Sequence, residues 1–259
     1  VIRDLLGREN SVSLPYYTST QLLRPGLNDF SFELGAVRQN YALRSNDYGT
    51  LAAAASFRRG ISSNLTLDAH SEASDDLFNL GLNSVWLPHQ LGVFNLTVAG
   101  SEGTRGRGGL IGFGFERQSA AFSLGFNSQW RSRKFNQLGL EQDQLAPVQT
   151  SQAFTSLSLT EGGSLSVNYA LQRYRDRANQ EFIGASLNQN IAGLGFLNFS
   201  LLHFLRGTAD TLIGLSFTFS LDRRTSASLT AEHQNGRADA LFQVQRSLPP
   251  GPGFGYRAA

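Results

Sequence analysis

Cysteine and methionine are both absent from the 259 residues, and lysine occurs only at Lys134. The lack of cysteine excludes a disulfide scaffold and any thiolate metal site. Because the chain begins at Val1 and not at methionine, we expect it to be a piece of a longer polypeptide, with any signal peptide upstream. Long hydrophobic runs are missing too, since the best candidate, 51–57, is mostly alanine and far shorter than a membrane-spanning helix.

Charge is also scarce, with 16% charged residues against about 25% in an average soluble domain. The arginines are scattered, and aromatic residues are not interleaved with a basic stripe, so the composition argues against nucleic-acid binding. Glycine and phenylalanine are abundant, at 27 and 19 residues, yet the mean hydropathy is −0.20. Such a chain has to alternate its apolar residues with serine, asparagine, glutamine and glycine.

The clearest alternation covers 211–221, TLIGLSFTFSL, in which every second residue from Ile213 to Leu221 is apolar. Leu212 is the one apolar residue on the opposite face. A period of two predicts a strand with two unlike faces. We count about fourteen such segments of roughly nine to eleven residues, the length that a tilted strand needs to cross a membrane. Most are joined by short turns, and the one long break is 133–150.

Two architectures share this pattern, a soluble β sandwich or barrel and a transmembrane β-barrel. Soluble strands average about five or six residues, and the segments here are nearly twice as long. A soluble core would also leave a face of small polar residues with nothing to pack against. A polar face that meets a water-filled lumen needs no packing partner. The sequence therefore predicts an all-β fold, the antiparallel wall of a transmembrane β-barrel.

The alternation also predicts which way individual side chains face. The residues predicted to face a lumen are polar or charged, namely Glu33, Arg58, Asp68, Glu72, Ser216, Thr218 and Glu232. The residues predicted to face lipid are large and apolar, namely Phe113, Phe115, Phe122, Leu124, Phe126, Leu215, Phe217 and Phe219.

Motifs that would carry chemistry are weak. The glycine-rich stretch 103–114 leads into a strand and not into a helix, so it predicts a turn and not a phosphate-binding loop. The four histidines lie in separate segments without metal-ligand spacing. His203 would be the base of a hydrolase on the outer wall of a barrel, but the sequence pairs no serine with it. We therefore expect no enzyme activity, no cofactor and no metal site.

The N-terminal region has the most individual sequence. It contains a Gly-Arg-Glu turn, PYY at the end of a strand, LLRPGLNDFSFELG, SNDYG and FRRGISSNLTLDAHSE. These segments resemble the outer-membrane usher family of chaperone–usher pilus assembly, in a form similar to its archaic, divergent branch. The stretch LPPGPGFGYR at 248–257 is similar to a late part of the same barrel. The middle of the chain agrees with the family in pattern only.

The resemblance implies a wide barrel in the outer membrane of a Gram-negative bacterium, with a plug domain inserted between two early strands and periplasmic domains at both ends. Residues 1–29 would be the connection from plug to barrel, and 30–259 would be a barrel segment that follows the plug. The implied function is to translocate and assemble pilus subunits delivered by a periplasmic chaperone. The implied partners are these subunits, chaperone–subunit complexes and outer-membrane lipid, with no nucleic acid and no small-molecule substrate.

A barrel wall that lacks its first and last strands has two open edges, and an unpaired backbone group in hydrocarbon costs several kcal/mol. We therefore expect a curved open sheet and not a barrel closed by these strands alone. Three alternatives stay open: a diffusive porin or other outer-membrane β-barrel transporter, an outer-membrane hydrolase, and a soluble β protein used for binding.

Overall fold

The computed structural model of the chain describes residues 2–3, 9–10, 21–38, 45–89, 91–139, 146–159, 162–206 and 210–258. The regular secondary structure in these ranges consists of β-strands. No helix in the described ranges is long and apolar enough to cross a membrane.

Seventeen strands are formed within the described ranges. β1 (Ile2–Arg3) and β2 (Glu9–Asn10) pair with each other. The other strands are longer, with the exception of the last, and their bounds are β3 (Asn28–Arg38), β4 (Tyr48–Ser62), β5 (Leu65–Ser74), β6 (Leu77–Trp86), β7 (Val93–Gly103), β8 (Gly108–Gln118), β9 (Phe122–Arg131), β10 (Gln149–Leu159), β11 (Gly163–Arg173), β12 (Gln180–Ile191), β13 (Gly195–Arg206), β14 (Thr211–Ser220), β15 (Thr225–Gln234), β16 (Arg237–Arg246) and β17 (Tyr256–Ala258).

These fifteen strands form one sheet in which each strand is hydrogen-bonded to its neighbours in the sequence, from β3 to β17. The first and last strands of that order are not paired with each other in the described part of the chain, so the sheet is open. The predicted all-β antiparallel fold is confirmed, with fifteen strands in place of the fourteen or so that the pattern gave.

Two strand boundaries differ from the sequence prediction. β3 begins at Asn28 and not at Phe30, because Asn28 and Asp29 already pair with β4. The sequence RRGISSN at 58–64 predicts a short break between two strands, but only a two-residue turn is left, because β4 continues to Ser62 through a register shift after Gly60. The long break is confirmed as the connection between β9 and β10.

The chain divides into two compact units. The first unit, Val1–Phe115 with Ser128–Thr150, contains the cluster formed by Leu110, Phe135 and Ala99. Most of its buried side chains are polar and lie on one face of the sheet. The second unit, Glu116–Asn127 with Ser151–Ala259, contains β11 to β17, paired in antiparallel register.

Candidate functional site

The polar face of the first unit is buried, and its apolar face is exposed. On β6, Asn79 and Asn83 are buried, at 0% and 5% exposure, whereas Leu80 and Leu82 are 49% and 56% exposed. The neighbouring strand β7 alternates in the same way along its central residues. This is the reverse of a water-soluble domain, in which apolar side chains are the ones that leave the solvent.

A row of in-register polar residues crosses four strands of this face, from β4 to β7. The row consists of Arg58, Asp68, Asn83 and Thr97. The Arg58 guanidinium lies 3.6 Å from the Asp68 carboxylate, and the Thr97 hydroxyl donates to the Asn83 side-chain oxygen at 3.0 Å. Asp68 is buried, so removal of Arg58 would leave its carboxylate uncompensated, at a cost of about 3–5 kcal/mol. Arg58 itself has a second carboxylate partner, since it also lies 3.8 Å from Asp29.

Residues 21–27, here called the entry segment, lie across one end of this face. The Leu23 amide donates to the Thr66 hydroxyl at 2.8 Å, and Arg58 donates to the Gln21 carbonyl oxygen at 2.7 Å. Gly60 makes the close approach possible, because a Cβ there would overlap the carbonyl oxygen of Arg24. Arg58 therefore links the sheet to the entry segment.

Residues 133–139, here called the inner strap, cross the same face at three neighbouring strands. Glu72, Asn79 and Ser101 occupy one register row on β5, β6 and β7. Asn79 donates to the Asn136 carbonyl oxygen at 2.9 Å, and the Asn136 amide donates to the Ser101 hydroxyl at 2.9 Å. The Leu138 amide donates to the Glu72 carboxylate at 2.8 Å. One row of the wall therefore provides three anchors for the strap.

Phe135 is the apolar anchor of the inner strap. Its side chain is 1% exposed and packs with Leu110 and the partly buried Ala99. Gly108 leaves room for it, because a Cβ at that position would overlap the backbone nitrogen and Cα of Phe135. The strap is therefore fixed by both hydrogen bonds and burial.

The polar face of the second unit has a different composition and remains accessible. Two register rows on β11 to β14 carry only hydroxyl, amide and glycine residues, namely Ser164, Asn188, Asn198 and Ser216 in one row and Ser166, Ser186, Ser200 and Gly214 in the other. All eight are half-buried. On the other face of the same strands, Phe199 and Leu215 are exposed.

The apolar face of the second unit carries a small polar network near the ends of its strands. The Tyr169 hydroxyl donates to Glu181 at 2.7 Å, and Arg206 donates to the other oxygen of Glu181 at 2.8 Å. His203 lies 2.8 Å from the Thr211 hydroxyl. The side chain considered as a hydrolase base is thus hydrogen-bonded to a threonine. Within the described ranges, no three histidine or acidic side chains lie close enough together to hold a metal ion.

The residues predicted to face a lumen share the polar side of the strands but do not form one cluster. Arg58 and Asp68 are buried and paired, and Glu72 is half-buried and holds the inner strap. Glu33 and Thr218 are exposed, whereas Ser216 and Glu232 are half-buried. That these side chains face a lumen stays a prediction.

The residues predicted to face lipid lie on the opposite side of the strands. Phe113, Phe126 and Leu215 are exposed, and the others are half-buried, namely Phe115, Phe122, Leu124, Phe217 and Phe219. Their contact with lipid stays a prediction as well.

Sequence reasoning missed the residues that cover the polar face. The inner strap and its anchors Asn79 and Ser101 carry no motif, and the only signal was the length of the break at 133–150. The predicted role of 1–29 as a connection from a plug domain falls largely outside the described residues.

No family model and no curated protein matches this chain. Among solved structures, the P pilus usher (PapC) translocation pore matches with a TM-score of 0.64 at 15% identity, over 88% of this chain and 49% of that one. An E. coli P pilus tip assembly intermediate, PapC–PapD–PapK–PapG, matches with a TM-score of 0.71 at 16% identity, over 98% of this chain and 35% of that one. The chain thus spans less than half the length of either. The likeness establishes that it shares the usher fold.

Proposed function

We propose that this chain forms part of the wall of an outer-membrane usher pore in a Gram-negative bacterium. Pilus subunits delivered by a periplasmic chaperone would pass through the pore and be assembled there. Residues 30–259 would belong to the wall, and residues 1–29 would lead into it from a plug domain.

The observation that carries this proposal is the reversed burial of the two faces. Exposed leucine and phenylalanine side chains on one face are stable in contact with acyl chains, because their apolar surface is then kept away from water. Polar side chains on the other face are stable where water or other polar groups meet them. A wall between lipid and an aqueous conduit provides both environments at once.

The fold supports the same proposal from a second direction. One matched structure is a translocation pore, and the other contains the usher together with PapD, PapK and PapG. A conduit of this kind needs no nucleophile and no cofactor, because its wall only guides and contacts the subunits. Assembly by strand donation between subunits would provide main-chain hydrogen bonds and side-chain pockets.

One observation favours a second candidate, a diffusive porin. The inner strap, residues 133–139, crosses the polar face, as part of a loop that constricts a solute channel would. The two candidates differ in cargo, since a porin passes small solutes and has no use for a chaperone.

The test uses the full-length protein, produced together with the chaperone and subunits of its own bacterium in a strain that lacks other ushers. We expect surface fibres and a membrane complex that contains chaperone and subunit. A protein that speeds the uptake of small solutes but never binds a chaperone–subunit complex would refute the usher proposal in favour of the porin.

A further inference from the structure

The apolar face of the second unit ends in a group of polar side chains, here called the rim cluster. It consists of Tyr169 on β11, Glu181 on β12, and His203 and Arg206 on β13. The sheet register places Tyr169 and His203 in one row, on either side of Ile183, and Glu181 beside Arg206 in a neighbouring row. The four side chains therefore form one group near the ends of three adjacent strands.

Glu181 fixes the position of Arg206 within the rim cluster. One carboxylate oxygen accepts a hydrogen bond from the Tyr169 hydroxyl at 2.7 Å, and the other accepts one from Arg206 Nε at 2.8 Å. Arg206 is bound through Nε alone, so its two terminal amino groups have no other partner within the described ranges, and its side chain is 62% exposed. A guanidinium held in this way can donate to two oxygens of one phosphate, a geometry for which arginine is suited.

Positive charge is concentrated beside the rim cluster. Residues 173–177, RYRDR, contain three exposed arginines and one aspartate. The guanidinium carbon of Arg177 lies 4.0 Å from the centroid of the Tyr174 ring, which orients this turn. Because the turn leads into the start of β12, its arginines lie at the same end of the sheet as Arg206. Together with Arg206 and Glu181, the turn has four arginines against two acidic residues, a net charge of +2.

The length of β13 places the rim cluster at the level of lipid headgroups. The strand has 12 residues, from Gly195 to Arg206. At about 3.3 Å per residue and a tilt of about 35–45°, it covers roughly 26–30 Å of depth, close to the ~30 Å of a hydrocarbon core. A strand that crosses this core brings Arg206 to its border. On the same face, the exposed side chains of Ile183 and Phe199 then lie at the depth of acyl chains.

We propose that the rim cluster, together with the arginines of 173–177, binds the phosphate of an anionic membrane lipid, an inference that rests on the proposed place of this chain in a membrane wall. A lipid matches both parts of the surface, because its phosphate pairs with the arginines while its acyl chains cover the apolar side chains beside them. A soluble anion would leave that apolar surface uncovered. A metal ion would find both oxygens of Glu181 already bonded.

The test measures binding of phosphatidylglycerol to the full-length protein in detergent, with bound lipids counted by native mass spectrometry. We expect Arg206→Gln to weaken binding about tenfold, because a hydrogen bond to a charged group is lost. The matched control is Arg237→Gln, which removes an equally charged, exposed residue from the opposite face of the same unit. The control should bind phosphatidylglycerol as wild type does.

A second variant separates lipid binding from a purely structural ion pair. Glu181→Gln breaks the same ion pair but removes a negative charge beside the phosphate, so we expect it to bind phosphatidylglycerol at least as tightly as wild type. Each variant is also compared with wild type in membrane content and in its resistance to unfolding in detergent. The proposal is overturned if Arg206→Gln and Glu181→Gln weaken lipid binding equally, or if Arg206→Gln binds as wild type does.

Two further ligands identify the source of the phosphate. We expect wild type to prefer phosphatidylglycerol to the zwitterionic phosphatidylcholine, and inorganic phosphate not to displace the bound lipid. Displacement by inorganic phosphate would overturn the proposal in favour of a soluble anion. A wild-type protein that neither inserts into membranes nor binds any lipid refutes the membrane wall itself. A wild-type protein that inserts and assembles fibres, yet has no preference for phosphatidylglycerol, refutes only the lipid site.

Discussion

Replacing Gly108 with alanine is expected to detach the inner strap, whereas the same change at Gly109 is expected to leave it in place. A Cβ on Gly108 would overlap the backbone nitrogen and Cα of Phe135. Backbone atoms cannot rotate away as a flexible side chain can, so the strap has to lift. A Cβ on Gly109 would meet only the Ala99 carbonyl oxygen, at 3.7 Å, which is an ordinary contact.

The size of the expected effect can be worked out from the contacts that fix the inner strap to the sheet. Phe135 is 1% exposed, and loss of a buried phenylalanine side chain costs about 3–5 kcal/mol. The hydrogen bond that Asn79 donates to the strap, and the two that Ser101 and Glu72 accept from it, add about 1 kcal/mol each. Because about 1.4 kcal/mol changes an equilibrium constant tenfold, loss of the phenylalanine anchor alone raises the detached fraction by at least about 100-fold.

Trypsin provides the assay, because it cleaves after Arg133 and Lys134 at the start of the strap. Cleavage requires several residues on each side of the bond to leave the sheet, so its rate follows the detached fraction when reattachment is fast. We expect the full-length Gly108→Ala protein in membranes to release the fragment that begins at Phe135 at least about 100-fold faster than wild type. Gly109→Ala should match wild type. Equal cleavage of the two variants would refute the anchoring role of Phe135.

Three further predictions address other parts of the wall. Phe217→Arg should destabilise membrane insertion by about 2–4 kcal/mol near the midplane, and Thr218→Arg on the other face should cost much less. The free energy of unfolding from lipid, measured by denaturant titration, checks this, and equal costs for the two variants would contradict the assignment of the faces. Gly60→Ala should displace the entry segment and raise its hydrogen exchange, whereas Gly35→Ala, with open space around it, should not. The pKa of Asp222 is held below its ordinary value of 3.8, mainly by a backbone amide that donates to it. The ionised Asp222 carboxylate therefore stabilises the turn fully above pH 3.8, and this stabilisation is lost as the pH falls through the lowered pKa. Hydrogen exchange of the amides in the turn would detect the loss.

The alternation of the strands could be predicted because it needs only neighbouring residues. In β8, Phe113 is exposed between the buried Gly112 and Gly114, as a period of two requires. That the apolar face is the more exposed one agrees with what strand length and the small residues on the second face indicate. These signals are local or compositional, and one strand at a time is enough to see them.

The coverage of the polar face could not be predicted, because it depends on contacts between distant residues. Asn79 and Asn136 are 57 positions apart, and neither has a neighbour that marks it as an anchor. The alternation predicts for Glu72 only that it faces a lumen, and gives no sign of the hydrogen bond that it accepts from the Leu138 amide. Pairing of this kind is decided by packing in three dimensions.

Leu212 departs from the alternation of β14, and its neighbours on the adjacent strand explain why. It is the one apolar residue on the polar side of its strand, and it pairs with Leu202 on β13. On the same face, the rings of Phe182 and Phe204 lie 6.0 Å apart. The exception is therefore a member of a local apolar group at one end of the face, which a single strand cannot reveal.

The contrast between the two polar faces has a physical basis in their charges. Arg58 and Asp68 are costly to bury alone, so a face that contains them is stable only if each charge has a fixed partner, and fixed segments of the chain help to provide that environment. Serine and asparagine can pair with one another across strands and leave the face open. The charged groups Arg58 and Glu72 lie under the entry segment and the inner strap, whereas neutral, paired groups occupy the polar face that stays open.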